Sequence, residues 1–263
     1  MKKTTWYGLP KDGRIYILLR AFYASILQMK PSIFTGTFKN HVIDKIRVRG
    51  MPYKGCGDGA KVRNYADYQS YLDHQSSKFK TMETRLEVSF DRRVNDFFNG
   101  FRKHEFLEGL TVICLGSRDG AEVHALRGMG LLAVGIDIKY PEGCKFTHYG
   151  DFHDIPYPDG VFGAAYTNCL DHIHSPQKFL SEIRRVLAGD GLLLVDMTLG
   201  EGVYESYAVE SYKAGISSLE GNGFVFDAKS SGFTAETIGN TDFENGANGR
   251  PRLIFRKKET NDE

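Results

Sequence analysis

The chain of 263 residues is long enough for one large domain with its own core, or for one domain and an extension. Hydrophobic residues at 41% and charged residues at 25% exclude a disordered or membrane-embedded chain, and a formal net charge of +1 supplies no overall field for nucleic acid. The charge is uneven: residues 1–64 hold 13 Lys and Arg against Asp12, Asp44 and Asp58, a basic segment that suits an anionic substrate, a membrane surface, RNA, or simply a solvated face.

In chain order, the first stretch of interest is "RIYILLRAFYASILQ", whose apolar spacing predicts a helix over about residues 13–29. Gly8, Pro10 and Arg20 interrupt the leading apolar residues, so this is neither a secretory signal nor a bilayer span. An interfacial helix there would give peripheral membrane contact, although a core helix is the commoner cause of such a stripe. A loop-rich piece full of Gly and Lys follows, from "KPSIFTGTFKN" to "MPYKGCGDGAKV". Two further helices are predicted, in "NYADYQSYLDHQSSKFK" and near "RRVNDFFNGFRKHEF". The first puts Tyr71, Gln75 and Lys78 on one face.

From Gly109 the pattern changes to short apolar runs alternating with amphipathic ones. "LTVICLG", "LLAVGIDI", "KFTHYGD", "GVFGAAYTNC" and "GLLLVDM" are predicted strands. "AEVHALRGMG", "PQKFLSEIRRVLAGDG" and "SYAVESYKAGISSLEGNG" are predicted helices. "FVFDAKSSGF" and "RPRLIFRKK" are two late strands expected to pair antiparallel at an edge. The fold class is therefore α/β: a doubly wound, mostly parallel seven-stranded sheet with helices on both faces and an antiparallel edge strand. A mainly helical extension over residues 1–105 precedes a domain over 106–263.

In such a sheet a ligand lies beyond the carboxyl ends of the strands. The first strand ends in "GSRDG", where Gly116 allows close backbone approach and Gly120 opens a helix whose free N–H groups favour an anion. The second strand ends in Asp137, placed to accept from ribose hydroxyls. The G-x-x-x-G spacing alone is shared with ordinary tight strand–helix turns.

The run "GDFHDIPYPDGVFGAAYTNCLDHIHSPQKFLSEIRRVLAGDGLLLVDM", together with the turn before it, resembles the small-molecule branch of the class I S-adenosylmethionine-dependent methyltransferases, strongly over about 112–197. The resemblance implies S-adenosyl-L-methionine as cofactor. It implies that Gly116, Ser117, Arg118 and Gly120 pass the methionine part and that Asp137, with Ile138 beside it, holds the ribose. Asp151 would accept from the adenine amino group, Phe152 would contact the ring, and Asn168 would face the transferring methyl. Three positions depart from the family pattern. Cys114 stands where an acidic residue is usual, Arg118 where a second glycine is usual, and Gly163 where an Asp is usual.

Methyl transfer needs an in-line nucleophile, and a hydroxyl acceptor gains from a base. "NCLDHIH" supplies one: His172 is the expected base, with Asp171 as its alternative or its orienting partner. His153, Asp154, Tyr166, Tyr204 and Tyr207 are further candidates for the pocket wall. Asp171, His172, His174 and Asp196 have no spacing that demands a metal, and none is expected. The four cysteines, at 56, 114, 144 and 169, form no C-x-x-C pair and suit a reducing, cytoplasmic setting. The expected activity is O-methylation of a small molecule or saccharide. Nucleic acid is disfavoured, since "TNCL" stands where an "NPPY"-type amino-methylating motif would be. The alternatives are an RNA- or protein-directed methyltransferase, favoured by the basic first segment, and a catalytically inactive binding subunit, favoured by Cys114 and Arg118.

Overall fold

The computed structural model describes residues 48–57, 59–234, 238 and 250–258, apart from the side chains of Arg49, Lys78 and residues 80–85. The chain divides into two compact units, Met1–Pro52 and Tyr53–Glu263. Of the first unit, only residues 48–52 are described; Val48–Gly50 form a 3-10 turn, and the helix expected over 13–29 lies outside the described residues. The second unit takes in residues 53–105 as well as the stretch from 106.

That unit is built on a seven-stranded sheet. Its strands are β3 (Thr111–Leu115), β4 (Leu132–Asp137), β5 (Thr147–Tyr149), β6 (Phe162–Thr167), β7 (Leu187–Asp196), β9 (Phe224–Phe226) and β10 (Arg252–Lys257). They lie in the order β5-β4-β3-β6-β7-β10-β9. The first five are parallel, and β10 runs antiparallel to both of its neighbours. The apolar runs are continuous because both faces are covered. On β3, Val112 and Cys114 join one core cluster while Ile113 and Leu115 join the other; β7 divides Leu192 and Leu194 from Leu193 and Val195 in the same way.

One face is covered by helix α3 (Pro176–Val186), capped by Ser175 and burying Phe179, Leu180, Ile183 and Val186, and by α4 (Tyr212–Glu220). The other is covered by α2 (Ala121–Gly128) and by the end of α1 (Tyr68–Phe101), which brings Phe97 and Phe101 against Tyr166. A short helix, α5 (Ala228–Ser231), follows β9.

Three expectations need correction. The two helices expected within 64–106 are one, α1, of 34 residues, started by Asp67, whose side chain accepts from Ser70 N–H at 2.7 Å. The intervening "TMETRLEVSFD" contains neither Gly nor Pro to stop it. The Gly/Lys-rich piece holds a hairpin, β1 (Tyr53–Gly57) and β2 (Ala60–Arg63), and β2 pairs with β8 (Tyr207–Val209), so the predicted helix at 206–223 begins only at Tyr212. The second late strand is full length, but the first is only three residues before α5.

Candidate active site

The carboxyl ends of β3, β4 and β6 converge on one cavity. It is lined by Gly116 and Arg118 after β3, by Asp137, Ile138 and Lys139 at the end of β4, and by Phe152 after β5. Cys169 and His172, after β6, complete the floor, and Tyr71, Gln75, Phe79 and Leu86 of α1 form the roof. The sequence signal for the roof is its spacing, which repeats by helical turns from Tyr71; Phe79, Leu86, Lys139 and Cys169 were not anticipated. Lys78, expected on the same face as Tyr71 and Gln75, has a side chain outside the described residues.

The turn is shaped by left-handed backbone at Gly116 (φ 72°), Arg118 (φ 49°) and Gly120 (φ 74°). A side chain at Gly116 would run into Cys169 Sγ, and one at Gly120 into Phe146, so both glycines also serve packing. Ser117 is buried and bonds to Thr147 Oγ1 at 2.8 Å, which makes it a tie between the turn and β5 rather than part of the cavity wall. Asp137 accepts from the backbone N–H of Arg118 and of Lys139, each at 3.0 Å. Burial nonetheless pushes its carboxyl above the ordinary range.

Besides Ser117, the expected ligand contacts Gly120, Asp151 and Asn168 also lie outside the cavity wall. Asp151 is engaged by protein: it accepts from Tyr68 Oη, from His153 N–H at 2.8 Å and from His153 Nδ1 at 3.1 Å. Burial alone would raise its pKa, but these bonds hold it below the ordinary value. Asn168 turns its carbonyl to Arg250 Nη1 at 3.4 Å, and its neighbour Cys169 takes the position at the cavity. The Cys169 thiol is pushed up to about 12 by burial, which keeps it protonated and inert. The fixed tautomer of His153 explains its own role. Its Nε2 accepts from the backbone N–H groups of His174 and Ser175 at 3.1 and 3.3 Å, so Nδ1 carries the proton. Glu182 and Arg185 of α3 brace the next stretch: Ile155 N–H donates to Glu182, while Arg185 donates to the carbonyls of Ile155 and Tyr157.

His172 is nine-tenths buried and faces the cavity. Its Nδ1 lies 3.3 Å from the Tyr204 carbonyl, which can only accept, so Nδ1 carries the proton and Nε2 presents a lone pair. The same carbonyl accepts from Gln75 Nε2 at 3.0 Å. Leu170–His172 form a 3-10 turn, which brings Asp171 Oδ1 to 3.7 Å from His172 Nε2, too far for a hydrogen bond but close enough to stabilise a cation. His174 stacks on Tyr71 with ring centres 5.1 Å apart. Asp196 is committed to the core by Arg252 and Tyr166. Tyr166 and Tyr207 are likewise buried away from the cavity, the latter bonded to Ser218. Among the described residues no group of three or more His, Cys, Asp and Glu is placed to hold a metal ion. No described helix is long and apolar enough to cross a membrane.

The cavity measures about 50 Å³. Pockets for drug-sized ligands run to about 300–1,000 Å³, so the cavity as it stands is smaller than such a ligand. The roof is held at both ends: Tyr68 donates to Asp151, and Arg93 Nη1 donates to Asp119 in the glycine turn at 3.0 Å, with Nη2 on the second oxygen.

Residues 113–195, from β3 to β7, match the family described as Methyltransferase domain. The chain is also similar in fold to solved structures. One is the Burkholderia thailandensis 1,6-didemethyltoxoflavin-N1-methyltransferase, solved with 1,6-didemethyltoxoflavin and S-adenosylhomocysteine bound; it is 13% identical with a TM-score of 0.56, over 79% of this chain and 99% of that one. Another is a chain from the Haloferax volcanii complex of the Trm112 methyltransferase activator, 17% identical with a TM-score of 0.51, over 70% of this chain and 97% of that one. The sheet order and the turn after β3 agree with the family match: residues 113–195 form a methyltransferase domain, and the sheet around them has the Rossmann-like methyltransferase fold.

Proposed function

We propose that the protein methylates an oxygen of a small-molecule or saccharide acceptor, with His172 as general base. S-adenosylmethionine supplies the methyl group when bound. Asp137 holds the ribose through the lone pairs its two backbone donors leave free. Gly116 and the turn from Ser117 to Gly120 border the methionine part, Ile138 and Phe152 contact the adenine, and Asn168 borders the methyl end beside Cys169. Asp151 receives the adenine amino group in the place of Tyr68. Residues 53–105 of the amino-terminal extension act as a cap on the 106–263 domain, with α1 as the part that moves.

His172 takes the acceptor proton at Nε2, because the Tyr204 carbonyl keeps the other nitrogen protonated. The resulting imidazolium is stabilised by Asp171 at 3.7 Å. The roof side chains Tyr71, Gln75, Phe79 and Leu86 carry no charge, which supports a neutral acceptor and gives little purchase to a phosphate backbone. The observation that carries this reading is that Asp137 and His172 line one cavity.

Calorimetry with S-adenosylhomocysteine and turnover with panels of phenolic and sugar hydroxyls test it. His172→Ala should lower kcat by about 100-fold or more with little change in S-adenosylhomocysteine affinity. Unchanged turnover removes His172 as the base. Turnover only on RNA or protein panels would replace the acceptor class.

A further inference from the structure

We infer that Tyr71 and Gln75, one turn apart on α1, hold a second hydroxyl of the acceptor, so that the substrate is a neutral compound with two neighbouring hydroxyls. This deepens the proposed function and rests on its placement of the acceptor beside His172. Both residues line the cavity. Tyr71 is 1% exposed, yet its hydroxyl bonds to none of the described residues and is not sealed in the core. Its ring is fixed by other means. It stacks on His174 with centres 5.1 Å apart and meets Tyr65 and His153 edge-on, each at 5.6 Å. Burial pushes its pKa well above the ordinary range, so the hydroxyl keeps its proton for donation. A buried side chain held this firmly, with its polar atom left to a cavity, is placed to meet a ligand.

The amide of Gln75 has its orientation set by its partners. Nε2 donates to the Tyr204 carbonyl at 3.0 Å and to Ser206 Oγ at 2.8 Å. A carbonyl only accepts, so the nitrogen must lie on that side and Oε1 on the other. Oε1 bonds to none of the described residues and is not sealed in the core. The same Tyr204 carbonyl lies 3.3 Å from His172 Nδ1, so one backbone oxygen sets both side chains and makes them neighbours. The pair on α1 thus offers one donor, Tyr71 Oη, and one acceptor, Gln75 Oε1. An alcohol hydroxyl is a single group that accepts from the first and donates to the second. A carboxylate has no proton for Gln75, and an ammonium has no lone pair for Tyr71. With one hydroxyl at His172 and the next between Tyr71 and Gln75, a vicinal diol satisfies all three. Phe79 and Leu86 of the same roof cover its carbon skeleton.

The test is calorimetry on the protein loaded with S-adenosylhomocysteine, with catechol against phenol and vicinal cyclohexanediol against cyclohexanol. Each diol should bind about 10-fold more tightly than its single alcohol, the worth of two neutral hydrogen bonds. Tyr71→Phe should weaken the diols by about 3- to 10-fold and the single alcohols by less than about twofold. Its melting temperature should hold, because the lost hydroxyl has no protein partner, and its S-adenosylhomocysteine affinity should not change. Gln75→Met, which removes the amide at similar length, should narrow the same preference. Equal binding of diol and alcohol by the wild type, or equal losses for both in Tyr71→Phe, overturns the inference, and turnover of either class then leaves the proposed function standing. Weaker S-adenosylhomocysteine binding in Tyr71→Phe also overturns it, by giving the hydroxyl to the cofactor. A diol preference that persists while His172→Ala keeps full turnover upholds the pair and removes the base. Wild-type protein that binds no hydroxyl compound loses both.

Discussion

Two strands of the same sheet end in an aspartate near an arginine, and the two pairs are finished differently. At the end of β7, Asp196 receives Arg252 Nε at 2.7 Å, Arg252 Nη2 at 2.8 Å and Tyr166 Oη at 2.7 Å. Both charged side chains are fully buried, and the guanidinium lies 4.2 Å from the Phe101 ring centre. At the end of β4, Asp137 receives only backbone N–H groups, and the nearby Arg118 guanidinium stays apart from it. One site is closed by the protein's own donors. The other leaves lone pairs and a cation facing a cavity. Burial without completion marks where a ligand is to finish the bonding.

The sharpest way to break this contrast is to remove each carboxylate. Asp196→Ala leaves Arg252 buried without its counter-ion and should cost about 3–5 kcal/mol in urea unfolding. Asp137→Ala should cost less than about 1 kcal/mol, because two backbone donors can be rehydrated at the cavity. It should instead weaken S-adenosylhomocysteine by about 10- to 100-fold, the worth of charge-assisted bonds to the ribose. Equal stability losses, with affinity unchanged at Asp137, would erase the distinction.

Glu122 sharpens it. This residue of the first turn of α2 is 3% exposed beneath the glycine turn, and burial raises its carboxyl to about 8 from an ordinary 4.5, outweighing Arg93 and Arg118. The folded protein therefore binds this proton more tightly than the unfolded chain does. The resulting stability is fully present below about 4.5 and is lost as pH rises through about 8. Between those limits the loss amounts to a few kcal/mol. Glu122→Gln should flatten the fall in melting temperature across that window. An unchanged pH profile would mean that the carboxyl ionises without penalty.

The contrast also explains what the sequence made legible. β3, β4, β6 and β7 read as buried strands because both their faces are covered, and Gly116, Asp137, Phe152 and His172 follow from strand ends and turn chemistry. The rest depends on partners that local pattern cannot name. Asp151 has the right spacing for an adenine contact, but Tyr68, 83 residues earlier, is brought onto it by α1. Asp196 looked like any acidic residue after an apolar strand until β10 returned Arg252 in register with it. Phe79 and Leu86 lie on the stripe that Tyr71 and Gln75 begin, yet their use as a roof was hidden because α1 read as two helices. β8 was absorbed into a helix because a three-residue strand has too few alternations to show its period.

The smallest effect concerns the roof. Asp151 is, like Asp137, a carboxylate near the cavity, but it is finished on one side by Tyr68, an exposed residue at the start of α1. Removing that hydroxyl should weaken the hold of α1 by about 0.5–1.5 kcal/mol. If the closed roof competes with the cofactor, a larger open fraction raises apparent affinity in proportion. Tyr68→Phe should then bind S-adenosylhomocysteine about threefold to tenfold more tightly, chiefly through faster association. Weaker binding through faster dissociation, with association unchanged, would show the opposite order, in which Tyr68 closes over a ligand already seated. Asp151 would then belong with Asp196, as a carboxylate the protein completes for itself, and the adenine would need another acceptor.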